Sequence, residues 1–158
     1  MTNPSSHKRR FLSAEIRPIL DRLQPDAIAR WGVMDAQQMV EHLHDFMLVS
    51  TGDLIFPLSV PEEHLPKYRE FLWSEKEFRE NTKAPANVLG ETPMPYRTEN
   101  LGAARKQFYQ SIQHFFEYFQ ADPERQTLHP AFGWLNEADW VELHYKHLTH
   151  HLRQFALM

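Results

Sequence analysis

The sequence contains no cysteine. Disulfides, thiolate catalysis and cysteine–zinc sites are therefore excluded, although the absence says little about compartment. No apolar run approaches the roughly 18–20 residues needed to span a bilayer, so no membrane partner is expected. The opening MTNPSSHKRR carries basic residues without an apolar stretch behind them, and does not read as a secretory signal. Beyond Lys8–Arg10 there is no basic block, and the net charge is −4. That argues against a nucleic-acid partner held through phosphate contacts. Internal repeats and low-complexity segments are absent, and the signal for strands is weak. A cytoplasmic protein is the default expectation.

What is present is a chain of 158 residues with 42% apolar and 13% aromatic content. That is enough for one domain with a real core. Residues 1–9 read as a disordered tail and residues 10–158 as the domain. Four segments carry apolar residues at helical spacing. The first covers residues 11–23, where Pro18 predicts a weakened or kinked helix. The second covers 36–50, with Asp35 as N-cap and Gln38 as a partial capping box. The third covers 101–120 and is strongly amphipathic. The fourth is opened by Asn136 or Glu137 and runs to about 155. Between the second and third, residues 54–100 hold six prolines and read as a long excursion with a short helix from about Pro61 to Trp73. HPAFGWL, residues 129–135, reads as a compact turn anchored by Phe132, Trp134 and Leu135. The expected fold is all-α: an antiparallel four-helix bundle with a proline-rich excursion between its second and third main helices.

The last helix concentrates the chemistry. Four of the ten histidines lie within it, at 144, 147, 150 and 151. At about 100° per residue, His144, His147 and His151 run down one apolar stripe with Trp140, Leu148, Gln154 and Phe155. Glu142, Lys146, Thr149 and Arg153 fall on the opposite, polar side, with Glu142 and Lys146 in the favourable i,i+4 order. A buried imidazole needs partners for its ring nitrogens. Residues one turn apart have Cβ atoms roughly 5–6 Å apart, which suits two imidazoles converging on one ion. His147/His151 is the preferred pair and His144/His147 the alternative. On the second helix, His42 lies at the edge of the apolar stripe and His44 points outward. His114 reads as a surface residue.

These residues resemble a known pattern. His147-Leu148-Thr149-His150-His151-Leu152-Arg153-Gln154 is similar to the H-x-x-H-H-x-x-Q signature of the DinB-like (YfiT-like) superfamily of metal-binding four-helix bundles. Met39-Val40-Glu41-His42-Leu43 is similar to the context of that superfamily's first histidine. Trp31-Gly32-Val33-Met34, the HPAFGWL turn and the ending HHLRQF resemble one uncharacterised subgroup. The resemblance implies metal ligation by His42, His147 and His151, with His144 or Gln154 as a supporting or alternative group. It departs from the common pattern where Leu152-Arg153 replaces an Arg-Gly pair.

The resemblance also implies a divalent ion, with zinc first and nickel, iron or manganese as alternatives. It implies a small-molecule substrate, a homodimer as a frequent oligomer, and either hydrolysis or transfer of a low-molecular-weight thiol. With no cysteine in the chain, that thiol must be a cosubstrate. No carboxylate is an obvious general base: Glu41 is about 100° round the helix from His42, while Asp45 and Asp139 remain open. Two further readings stand beside the enzyme: a non-catalytic metal- or ligand-binding bundle, and a structural interaction domain with hydrogen-bonded core histidines.

Overall fold

The computed structural model describes residues 6–80, 82 and 93–158. Helix α1 occupies residues 6–20. It runs as α-helix over Ser6–Arg10, widens to π geometry over Phe11–Glu15, and returns to α-helix over Ile16–Leu20. Pro18 explains the widening. It has no N–H to offer and its ring crowds the carbonyl four residues back. The preceding turn loosens, and the Ile16 N–H reaches the carbonyl of Phe11 instead. The tail expected over 1–9 is helical from Ser6, where Lys8 pairs with Glu142 and Arg9 with Glu137. Residues 1–5 of that expected tail lie outside the described residues.

Helix α2 is Ala36–Ser50, opened by the expected capping box: Asp35 accepts from the Gln38 N–H, and the Gln38 side chain accepts from the Asp35 N–H. A 3-10 turn at Glu62–His64 leads into α3, Leu65–Trp73. Helix α4, Leu101–Ala121, is capped by Asn100, and α5, Glu137–Gln154, by Asn136 with Asp139 closing a second capping box. Strands β1, Thr127–His129, and β2, Gly133–Leu135, pair antiparallel with Thr127 opposite Leu135 and His129 opposite Gly133. Gly133 takes φ +81°, which a side-chain-bearing residue would resist at this tight corner.

The all-α four-helix bundle is therefore incorrect. Among the described residues the fold has five helices and a two-stranded antiparallel sheet. Three-residue strands are too short to generate a period-2 pattern, so the hairpin leaves no signal beyond its turn residues. Trp134, expected as an anchor, is 62% exposed, because alternation along β2 turns it outward while Leu135 is fully buried. The hairpin is fastened to α2 and α5 through one hydroxyl. Thr127 Oγ1 donates to the Ser50 carbonyl at 2.7 Å and accepts from Trp140 Nε1 at 2.7 Å.

The core is built from the stripes. Helix α2 contributes Met39, Val40, Leu43 and Met47; α4 contributes Phe108, Phe115 and Phe119; α5 contributes Trp140, Leu148 and Leu152. Each such side chain is worth roughly 1.5–3 kcal/mol of burial. The polar side of α5 is not solvated as its composition suggests. Glu142, Lys146 and Thr149 are all buried, because α1 and the segment after α3 cover them. Lys146 donates to the carbonyls of Ser74 and Lys76 and lies over the Phe71 ring. Among the described residues, no helix is long and apolar enough to cross a membrane.

Candidate metal centre

His42 projects from α2, and His147 and His151 project from consecutive turns of α5. Packing of the two helices brings the three Nε2 atoms together. His42 lies 2.9 Å from His147 and 3.1 Å from His151, and His147 lies 3.1 Å from His151. Three histidines are thus close enough to hold one metal ion. A tetrahedral ion with metal–nitrogen distances of about 2.0–2.1 Å requires donors about 3.3 Å apart, so the triangle is a few tenths of an ångström tighter than an occupied site.

The hydrogen-bond alternative fails on parity. An imidazole nitrogen either carries a proton and donates, or bears a lone pair and accepts. Each contact within a triangle needs one of each kind, and three mutually touching atoms cannot be divided that way. At least one contact must set two donors or two lone pairs against each other.

His151 sharpens the conflict. Its Nδ1 lies 2.6 Å from Gln154 Oε1, while Gln154 Nε2 donates to the Trp31 carbonyl at 2.9 Å. The amide orientation is fixed by the second bond, so Nδ1 of His151 donates and its Nε2 presents a lone pair to the triangle. Satisfying that lone pair by protons on His42 and His147 would place two N–H groups face to face at 2.9 Å.

Electrostatics favour the ligand form. Burial pushes the His42 pKa down to about 4, and burial with the neighbouring imidazoles pushes His147 and His151 well below the ordinary histidine value. All three rings are neutral at pH 7, as ligands must be. Gly32 packs against the same arrangement. It takes φ +78°, and a Cβ there would meet Gln154 Nε2 at 2.9 Å.

The triad lines a cavity of about 980 Å³. This is near the top of the roughly 300–1,000 Å³ range of small-molecule sites. Trp31, Phe46, Phe71, Phe78 and Phe132 give it largely aromatic walls. Phe46 packs on both His42 and His147, at 4.9 and 4.6 Å between ring centres.

Not all residues expected at the site are brought into it. His144 is buried but does not join the triangle. It stacks on Trp140 at 5.3 Å and meets Phe115 at right angles, and its Nε2 has no polar partner among the described residues. His114 is exposed and pairs with Asp53, as expected of a surface residue. His44, expected to point outward, is half-buried, with Nδ1 unpartnered among the described residues. His150 is buried between Trp31 and Phe78, a position the helical projection did not indicate.

Asp45 and Asp139, left open as bases, are committed elsewhere, and so is Glu41. Asp139 caps α5 and accepts from Arg69 Nη2 and Trp73 Nε1. Asp45 accepts a bidentate pair from Arg97, at 2.7 and 2.8 Å. Glu41 accepts from the backbone N–H groups of Arg97 and Thr98 and from the Thr98 hydroxyl. These bonds outweigh its desolvation and hold its carboxyl below the usual range. The i,i+4 spacing of Glu41 and Asp45 was visible in the sequence, but their partner over 50 residues away was not.

The model of one protein family matches residues 70–158, more than half of the chain: Protein of unknown function (DUF1569). The chain belongs to this family. The matched segment contains α4, the hairpin and the whole of α5, and hence His147 and His151, while His42 lies before it. No curated protein and no solved structure matches the chain.

Proposed function

We propose that the protein is a divalent-metal-dependent enzyme related to the DinB-like superfamily, acting on a small molecule in the cavity beside His42, His147 and His151. The observation that carries this reading is the triangle of Nε2 atoms, whose three short contacts cannot all be hydrogen bonds. A cation is the partner that three lone pairs share. Zinc suits an all-imidazole donor set, with nickel, iron or manganese as alternatives. A bound divalent ion would supply Lewis acidity, polarising a carbonyl and favouring the thiolate of a bound thiol.

The surrounding side chains favour thiol transfer over hydrolysis. Expelling an amine or alkoxide needs a group that can deliver a proton, and Glu41, Asp45 and Asp139 are each already engaged as acceptors by N–H or O–H donors of the fold. A thiolate that displaces a halide or a similarly weak base makes no such demand. The C–S bond forms as the carbon–halogen bond breaks, the leaving group departs with its electron pair as a stable anion, and the thiol proton goes to solvent. The chain has no cysteine, so the thiol is a cosubstrate.

The test is metal content by mass spectrometry, on protein purified without a nickel column. About one equivalent is expected. His42→Ala, His147→Ala and His151→Ala should each lose it, while His44→Ala, His144→Ala and His150→Ala should keep it. Retention after all three triad substitutions would remove the basis of the proposal. If His144→Ala loses metal and His151→Ala does not, the ligand pair is His144/His147 and the assignment is wrong. Consumption of small thiols with electrophilic substrates, set beside ester hydrolysis, then separates the two reactions.

A further inference from the structure

His129 closes β1, outside the triad. Its Nδ1 accepts the N–H of Ala131 at 2.9 Å and the N–H of Phe132 at 3.2 Å. A ring nitrogen that accepts two N–H bonds carries no proton, so in the neutral ring the proton is on Nε2. The ring is neutral: burial takes its pKa down to about 3, with no charged side chain contributing. The turn therefore fixes His129 as a hydrogen-bond donor on the edge facing away from it.

Among the described residues nothing receives a bond from His129 Nε2, and unlike the unpartnered His44 Nδ1 and His144 Nε2 it is not fully enclosed. His129 lines the cavity that also holds the triad, and we take that cavity as the space its free edge addresses. Phe132, Trp140 and Phe46 stand around the ring at 5.0, 5.6 and 6.3 Å. Phe46 in turn packs on His147 and His42. His129 and the candidate metal centre thus line one cavity and are linked through the Phe46 ring, which contacts both.

We propose that His129 is a ligand-positioning residue: its Nε2–H donates to an uncharged carbonyl or amide oxygen carried on an aromatic or otherwise apolar small molecule. The aromatic surround accepts the body of such a ligand, and the single N–H satisfies its one polar atom. A carboxylate fits worse, because the ring is neutral and no cation acts on it. This names the substrate chemistry for the function proposed above and rests on that reading for the reacting end only. The donor itself needs no metal.

The test uses protein as purified and, in parallel, after chelator treatment. Nitrogen-15 spectra of the histidine rings should show His129 protonated at Nε2 and bare at Nδ1. Acetophenone, titrated by NMR, should bind about tenfold more tightly than α-methylstyrene, which replaces its oxygen with CH₂. The preference should be the same with and without metal. His129→Asn places a side-chain oxygen where Nδ1 was, so the turn keeps its acceptor, while its shorter amide leaves no N–H at the position of Nε2. That variant should fold and bind both probes alike. The proposal is overturned by an Nδ1-protonated His129, by no preference in the parent protein, by a preference seen only with metal bound, or by one that survives in His129→Asn. None of these outcomes depends on which residues hold the ion.

Discussion

Gln154→Ala tests whether the ring of His151 is set by its neighbour. The substitution removes two hydrogen bonds, from His151 Nδ1 to Gln154 Oε1 and from Gln154 Nε2 to the Trp31 carbonyl. Each is worth about 0.5–1.5 kcal/mol net, and a donor left unsatisfied in a buried site adds about 1–3 kcal/mol. A loss of about 2–4 kcal/mol follows. For a chain of this size that lowers Tm by about 5–15 °C. The second effect is on the metal. With Nδ1 unanchored, His151 can take the tautomer that carries its proton on Nε2, and zinc affinity should fall about 10–100-fold. Gln154→Glu separates the two effects. A carboxylate still accepts from His151 Nδ1 but cannot donate to Trp31, so stability should fall while zinc affinity is kept or raised. Zinc affinity is read by competition with a chromophoric chelator and stability by thermal melts. If Gln154→Ala leaves zinc affinity within about threefold of the parent while His151→Ala abolishes binding, the tautomer argument is refuted.

Acid should unfold the metal-free protein early. The folded-state pKa values of His42, His129 and His144 lie at about 4, 3 and 3, below the ordinary 6.5, so the unfolded chain binds more protons wherever pH is under that value. Stability is whole above about pH 6.5 and declines as pH falls toward 4, at ~1.4 kcal/mol per unit for each such ring. Urea midpoints that stay flat from pH 7 to 4.5 would contradict the buried, neutral rings. Thr127→Val strands Trp140 Nε1 and the Ser50 carbonyl, and should cost about 2–3 kcal/mol. A cost near zero in urea titration would mean the hairpin is held by packing alone. Arg97→Met leaves the buried Asp45 without its partner. Discounted for the half-exposed guanidinium, the cost is about 1–2 kcal/mol. Adding Asp45→Asn should recover much of it, and strict additivity in the double variant would show that the pair is not coupled.

The helices were legible in the sequence because their determinants are local. An apolar residue every third or fourth position commits a segment to burying one face, and the caps at Asp35 and Asn136 act within three residues. The pairing of His147 with His151 is local in the same sense, since the rise of the helix sets it. Periodicity within α5 left His144/His147 open as the alternative. That choice required His42, from a helix packed against α5 and 105 residues earlier in the chain.

Other features were decided by what covers each surface. Glu142, Lys146 and Thr149 have the composition of a solvated face, yet they are buried under α1 and the segment after α3. The same covering places His150 between Trp31 and Phe78. The hairpin at 127–135 and the fixed tautomer of His129 depend on backbone geometry that two three-residue strands do not encode as a period. Sequence alone determined which residues can share a face of a helix, because that is fixed by 3.6 residues per turn. Tertiary structure decided which faces meet, because that depends on how all the stripes are buried at once. The three-histidine triangle exists only where two such faces meet.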